Sequence, residues 1–172
     1  MSDPLSKISS LTLPPVILCI GSDRVLGDAL GPITGELLKK KFDVPAFVYG
    51  SLSTPVNALN LGKAAAFIAS RHRGAKIVAI DGSVGSEIGK ITVSEGSLRP
   101  GLASGKVLPA VGDVSITVTV ATDVRLLPSV RLGVVYDLAL KAAGLVADAL
   151  APFSGCGLNP SLGIRKYNTR SY

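Results

Sequence analysis

Two aspartates follow apolar runs that are typical of buried strands. Asp28 lies in GSDRVLGDALGP, which follows PPVILCI, and Asp81 comes directly after KIVAI. If these runs are neighbouring strands of a parallel sheet whose order begins 2-1-3, the turns after them leave the sheet at one edge, where such sheets bind ligands. The sequence therefore predicts that Asp28 and Asp81 face one crevice.

A pair of carboxylates in one crevice has definite chemistry. Two like charges at short range do not both ionise easily, so one pKa rises and the pair shares a proton. One group can then activate a water while the other protonates a leaving amine. We predict Asp28 and Asp81 as catalytic residues that need no cofactor. The alternative is a divalent metal ion bridging the same two carboxylates, with water completing its shell.

Each aspartate also has a purely structural interpretation. Asp28 comes just before a predicted helix, where an N-cap aspartate stabilises the helix by about 1 kcal/mol without any chemistry. Asp81 precedes Gly82, so it is also compatible with an Asx turn. Both interpretations remain open from the sequence alone.

Other polar residues are secondary candidates. We predict Asp23 and Lys106 as substrate-binding residues, the first beside Asp28 and the second as a crevice cation or general base next to Ser104. A solvated loop aspartate and a plain loop lysine are the simpler interpretations. His72, the single histidine, is expected at the opposite edge of the sheet, so no Ser-His-Asp triad is built on it. Asp113 is expected to be a turn residue.

The elements that position these residues alternate along the chain. Apolar periodicity predicts strands and helices, with Leu59 and Phe67 buried on the second helix and Val134 on the third. The predicted strands are residues 16–20, 46–49, 76–80, 88–94 and 114–121, and the helices are residues 29–41, 56–71 and 130–150. This order predicts a three-layer α/β/α sandwich with a mainly parallel central sheet.

Length and composition are those of one globular domain. The chain has 172 residues, 47% hydrophobic and 17% charged, which suits a single α/β domain over residues 1–172. Residues 1–13 and 152–172 are expected to be loosely ordered tails. No run is long and apolar enough for a membrane span, and no secretory signal is visible, so we expect a cytoplasmic protein without membrane contact.

Charge and cysteine content exclude further classes. The net charge is +6, but the basic residues are scattered and only 5% of residues are aromatic, so we expect no nucleic-acid partner. Cys19 is expected to be a buried free thiol, and neither it nor Cys156 has a partner that predicts a disulfide or metal site. Sheet edges and the apolar excess are compatible with a homodimer.

Four segments also resemble a known family. The segments GSDRVLGDALGP, VYGSLSTPVNALNL, IVAIDGSVGS and SLRPGLASGKVLPAVGDVSITV resemble, in this order, the YyaC family of sporulation proteins from spore-forming Bacillota. That family is similar to the germination protease, which degrades small acid-soluble spore proteins, and to hydrogenase maturation endopeptidases. The resemblance implies a peptidase-like α/β/α fold, a place in the forespore or mother cell, and a peptide or small spore protein as substrate.

The resemblance also bears on individual residues. In the germination protease, DALGP and IAIDA segments each supply an essential aspartate, which correspond here to Asp28 and Asp81. Hydrogenase maturation peptidases use a histidine as a third nickel ligand, whereas this chain has no histidine after Asp81. The long extra segments and the propeptide of the germination protease are also missing. Two functions are therefore weighed: an endopeptidase using an aspartate pair, and a non-catalytic sporulation factor that binds a peptide or protein in the same crevice.

Overall fold

The structure, a computed structural model, describes residues 6–101 and 107–154. In this part of the chain the strands are β1 (Val16–Cys19), β2 (Phe47–Tyr49), β3 (Ile77–Val84), β4 (Ile91–Glu95) and β5 (Val114–Ala121), and the helices are α1 (Ser6–Ser9), α2 (Leu30–Lys40), α3 (Leu61–Arg71) and α4 (Leu132–Leu150). The five strands form one sheet in the order β2-β1-β3-β5-β4. The first four strands in this order are mutually parallel, and β4 pairs antiparallel with β5.

Helices cover both faces of the sheet. Alternate residues of β1 point to opposite sides: Ile17 and Cys19 join the core under α2 and α4, whereas Val16 and Leu18 join the core under α3. Continuous apolar strands of this kind are typical of parallel sheets buried on both faces. The predicted α/β/α architecture with a mainly parallel sheet is confirmed, as is the 2-1-3 order of its first strands.

The N-terminal segment differs from the loosely ordered tail expected over residues 1–13. Ser6–Ser9 form a helical turn in which Ile8 is fully buried in the core beside α4. Leu5, Ile8 and Leu11 recur at three-residue intervals, but so short a segment carries too few apolar residues for its periodicity to predict burial. At the other end Phe153 is also buried, and residues 155–172, including Cys156, lie outside the described residues.

Two helices begin later than predicted. The second begins at Leu61 because Val56 instead forms a parallel bridge with Ile20, and the Asn60 carboxamide then accepts from the backbone N–H of Asn57 at 2.8 Å. Leu59, expected on the buried face, is 85% exposed in this loop. The third begins at Leu132 instead of residue 130.

The buried faces of these helices were also predicted incorrectly at two positions. Phe67 of α3 and Val134 of α4 are 44% and 39% exposed. Helical spacing places both near the edge of an apolar stripe, and only the neighbouring elements decide which edge positions are covered.

Helix α2 packs unusually close to the sheet through its glycines. A Cβ atom on Gly31 would lie 1.9 Å from the carbonyl oxygen of Ile20, and one on Gly35 would lie 1.8 Å from that of Gly50. Both distances are far inside van der Waals contact, so only glycine lets the helix backbone approach the strand ends this closely. This contact sets the position of the segment that precedes α2.

A Gly31→Ala substitution is expected to destabilise the fold by about 2 kcal/mol or more, because the added methyl group meets backbone atoms that cannot rotate away. The matched control is Gly62→Ala. Gly62 is likewise the second residue of an 11-residue helix, but a Cβ there meets nothing within 4 Å. Gly62→Ala should raise the free energy of unfolding by about 0.5–1 kcal/mol. Urea unfolding of both variants measures the difference, and equal effects at the two positions would contradict the close packing of α2.

Candidate active site

A cavity of about 580 Å³ opens at the carboxyl edge of the sheet, where β1, β3 and β5 end. We call it the aspartate cavity. It lies on the face that α3 covers only in part, and the loop that carries Leu98 and Leu108 lines its outer side. The side chains that give the cavity its polar character are those of Asp28, Asn57, Asp81, Ser83, Arg99 and Thr117.

Asp28 is held by a short 3₁₀ turn, Leu26–Ala29, between β1 and α2. Its backbone N–H donates to the carbonyl of Val25 at 2.9 Å, and its carbonyl accepts from the N–H of Ser22 at 3.0 Å. Ala29, not Asp28, is the N-cap residue of α2. The N-cap interpretation of Asp28 is therefore wrong, and the turn leaves its carboxylate in the lining of the aspartate cavity.

The Leu26–Ala29 turn is wedged between two other parts of the fold. A Cβ on Gly27 would lie 2.6 Å from Cδ2 of Leu127, in the 3₁₀ segment Val124–Ser129. On the other side, a Cβ on Gly82 would lie 3.3 Å from the carbonyl oxygen of Gly27. The backbone that carries Asp28 is thus in direct contact with the backbone next to Asp81.

Asp81 lies within a strand rather than in a turn. The third strand was predicted to end at residue 80, but β3 continues to Val84, and Asp81 is in register with Thr117 of β5. The Asx-turn interpretation of Asp81 is therefore wrong. Its side chain is only 9% exposed, and the N–H of Gly82 donates a hydrogen bond to its carboxyl group.

The pKa of Asp81 is raised from its ordinary value of 3.8 to about 8. Burial is the larger cause, because a buried carboxyl loses the hydration of its charged form, and the nearby charge of Asp28 adds to it. The hydrogen bond from Gly82 acts in the opposite direction and does not cancel these effects. At neutral pH, Asp81 therefore holds a proton next to the charge of Asp28, as the sequence predicted for a coupled pair.

The secondary candidates lie elsewhere. Asp23 does not line the aspartate cavity; it is exposed and lines a different cavity on the other side of the Leu26–Ala29 turn. Lys106 and Ser104 lie outside the described residues. Among the described lining residues, the cation is Arg99.

His72 and Asp113 have structural partners. Nε2 of His72 lies 2.6 Å from the hydroxyl of Tyr49, and its ring packs on Phe47 with centroids 4.2 Å apart. The carboxylate of Asp113 accepts from the N–H of Ile77 and from Nζ of Lys76, both at 2.9 Å. Neither residue lines the aspartate cavity. The carboxylate of Asp113 joins the starts of β3 and β5 instead of closing a local turn, and His72 lies away from the cavity as expected.

Sequence reasoning missed Thr117 and Arg99. A signal for Thr117 exists: in VSITVTVA, hydroxyl residues alternate with apolar ones, which indicates that one face of β5 is polar where it adjoins Asp81. Arg99 lies in a sequence stretch rich in glycine and proline, and it follows Leu98, which pairs with Val111 at the edge of the cavity. No local pattern marks it.

The described residues do not fit the three-ligand nickel site that hydrogenase maturation peptidases imply. Over residues 6–101 and 107–154, no three side chains of His, Cys, Asp or Glu converge as a metal site. Burial raises the pKa of the Cys19 thiol to about 12, so this free cysteine stays protonated and is not a ligand.

In the described part of the chain, no helix is both long enough and apolar enough to cross a membrane.

The raised pKa of Asp81 predicts that the free energy of unfolding falls as pH rises. The unfolded carboxyl has its ordinary pKa of 3.8 and the folded one a pKa of about 8. Between these values the folded state binds the additional proton, so stability is lost as pH rises, by up to about 1.4 kcal/mol per pH unit. Asp81→Asn keeps a neutral group of similar shape, so urea unfolding from about pH 5 to about pH 8 should show a smaller loss for this variant.

Asp28→Asn is the second arm of this experiment. This substitution removes the charge that helps to raise the pKa of Asp81. The loss of unfolding free energy with rising pH should therefore be smaller than in the wild-type protein and larger than in Asp81→Asn. If the curves of Asp28→Asn and the wild-type protein are parallel, the two carboxyl groups do not interact. If the curve of Asp81→Asn is parallel to them as well, the pKa of Asp81 is not raised.

Comparison with known proteins places the chain in a family. The [NiFe] hydrogenase maturation protease HycI from Thermococcus kodakarensis KOD1 superposes with a TM-score of 0.56 at 22% identity, over 86% of this chain and 99% of HycI, which is a likeness in fold. The uncharacterized protein YyaC of Bacillus subtilis (strain 168) is 36% identical over 154 residues, which are 86% of this chain and 75% of YyaC. The resemblance to the YyaC family is thereby confirmed. Residues 4–144 match the family described as "Protein of unknown function (DUF1256)", and the chain belongs to that family.

Proposed function

We propose that this protein is an endopeptidase of sporulating cells that uses Asp28 and Asp81 to hydrolyse a peptide bond. The observation that carries the proposal is a protonated, buried Asp81 beside the charge of Asp28 in one cavity. A general acid and a general base in the same site are what water-mediated amide hydrolysis requires.

The environments of the two carboxyl groups suggest their roles. Asp28, half-buried at the end of the 3₁₀ turn, accepts a proton from a water molecule as the water oxygen attacks the carbonyl carbon of the substrate. Asp81 then donates its proton to the amide nitrogen as the C–N bond breaks, which releases an amine and a carboxylic acid. Transfer of the proton from Asp28 to Asp81 restores the starting state.

The remaining lining of the cavity suits a peptide. A volume of about 580 Å³ is within the range of about 300–1,000 Å³ that is usual for ligand sites. Arg99 offers a guanidinium group that can bind a carboxylate or a main-chain carbonyl. The carboxamide of Asn57 lies on the same cavity, although its oxygen already accepts from the N–H of Leu59.

The cellular setting of the proposal comes from the resemblance of the four sequence segments. We place the protein in the cytoplasm of the forespore or mother cell, with a peptide or a small spore protein as substrate. The fold it shares with a hydrogenase maturation protease is compatible with peptidase chemistry, but a shared fold does not determine an activity.

Cleavage should depend on both aspartates. In mass-spectrometric assays with a broad peptide panel and extracted spore proteins, Asp28→Asn and Asp81→Asn should each lower the rate by about 10²–10⁴-fold, the usual contribution of general acid–base catalysis. The rate should fall above about pH 8, where Asp81 loses its proton. Glu87→Gln, an exposed carboxylate on the β3–β4 turn, is the control that should keep full activity.

Other outcomes would replace this proposal. If the wild-type protein and Asp81→Asn bind the same peptide and leave it intact, the protein is a non-catalytic binding factor. If millimolar magnesium, manganese, nickel or zinc raises the melting temperature of the wild-type protein but not of Asp81→Asn, the two aspartates bind a divalent metal ion, because a ligand that binds only the folded state stabilises it. Equal cleavage by all four proteins would remove the aspartates from the mechanism.

A further inference from the structure

A second cavity, of about 540 Å³, lies on the other side of the Leu26–Ala29 turn from the aspartate cavity. The middle of α2, the first turns of α4 and the loop after β2 enclose it. We call it the acidic groove, for the three carboxylates that line it: Asp23, Glu36 and Asp137.

The floor of the acidic groove is apolar and open to solvent. Four large side chains lining it are more than one third exposed: Leu132 at 56%, Leu52 at 44%, Tyr136 at 43% and Leu26 at 38%. Single exposed leucines are normal on a protein surface, but several that line one concave site mark a place where another apolar group binds.

The charge of the groove is opposite to that of the protein as a whole. The chain has a net charge of +6, yet no described residue that lines the groove is Lys, Arg or His. Lys40 forms an ion pair with Glu36, so attraction of a ligand rests mainly on the exposed carboxylates of Asp23 and Asp137. An acidic site on a basic protein favours a cationic ligand and disfavours an acidic one.

We propose that the acidic groove binds a peptide segment in which a bulky apolar side chain is flanked by Lys or Arg. The apolar side chain enters among Leu26, Leu52 and Leu132, and the cationic groups pair with Asp23 and Asp137. Both halves of this ligand follow from the lining: an apolar group alone leaves the carboxylates unpaired, and a cation alone leaves the leucines exposed.

The position of the groove links it to the aspartate cavity. Leu26 and Ala29 of the 3₁₀ turn line the groove, whereas Gly27 and Asp28 line the aspartate cavity. A segment in the groove therefore lies one backbone turn from Asp28, where it can hold a longer chain across the site. Binding in the groove does not require cleavage, so it stands whether or not the two aspartates are catalytic.

Fluorescence anisotropy tests the proposal with a labelled ten-residue peptide that carries a central Leu-Phe pair flanked by Lys. Two matched peptides replace the Lys by Glu, or the Leu-Phe pair by Ser-Ser. We expect saturable binding of the first peptide, weakened by added salt, and at least about tenfold weaker binding of the other two. The assay uses Asp81→Asn protein, so that the peptide stays intact and a failure of the proposed catalysis does not affect the result.

Two sets of variants test whether the peptide binds in the acidic groove. Asp23→Asn/Asp137→Asn and Leu132→Ser change exposed side chains and should each weaken binding about three- to tenfold without loss of folding. Glu87→Gln/Glu95→Gln changes the net charge by the same amount at exposed positions outside the groove, and should leave binding unchanged.

Three outcomes would overturn the proposal. The first is equal affinity of the protein for the Lys and Glu peptides. The second is a loss of peptide affinity in the control variant Glu87→Gln/Glu95→Gln as large as the loss in Asp23→Asn/Asp137→Asn. The third is a dimer in analytical ultracentrifugation that Leu132→Ser dissociates, since a second copy of the chain would then cover the groove.

Discussion

The burial of one carboxyl group beside the charge of another is the constraint on which the site depends. An ionised carboxylate is strongly disfavoured without hydration, so a buried one takes up a proton instead. Asp81 meets this condition inside β3, and the charge of Asp28 reinforces it. The site therefore contains an acid and a base of the same chemical type, distinguished only by where the fold places them.

The fold reaches this arrangement through backbone contacts. Residues far apart in the chain meet because β1 and β3 are adjacent and parallel. The 3₁₀ turn is then fixed on two sides by glycines, with Gly31 against the end of β1 and Gly82 against Gly27. A side chain at either glycine would push the turn that carries Asp28 away from β3. The glycines of the GDALGP and IDGS segments thus let the backbone that carries Asp28 pack closely against β3.

The sequence predicts those parts of the structure that depend on local pattern. The strand at residues 114–121 was predicted with the observed limits, and the convergence of Asp28 and Asp81 followed from strand order. What it could not predict depends on pairing partners. Asp81 is a strand residue because β5 continues alongside it, and Leu59 is exposed because Val56 pairs with Ile20.

The residues of the candidate site also fall into two groups, those that local sequence pattern predicted and those that it did not. Both central aspartates come after apolar runs in the sequence and were identified, whereas Arg99, which also lines the aspartate cavity, lies in a stretch with no periodic pattern. Asp23 was expected beside Asp28, since both lie on one short segment, yet Asp23 precedes the 3₁₀ turn that contains Asp28, and the two residues line different cavities. Sequence proximity does not show on which side of a turn a side chain lies.

The shared turn gives the two cavities a physical connection. In the turn Leu26–Ala29 the two outer residues line the acidic groove and the two inner residues line the aspartate cavity. Gly27 is packed against Leu127 on one side and Gly82 on the other. Dense packing of this kind transmits strain. The position of the turn is therefore a constraint that the two cavities share: a substitution that shifts Leu26–Ala29 alters the lining of both.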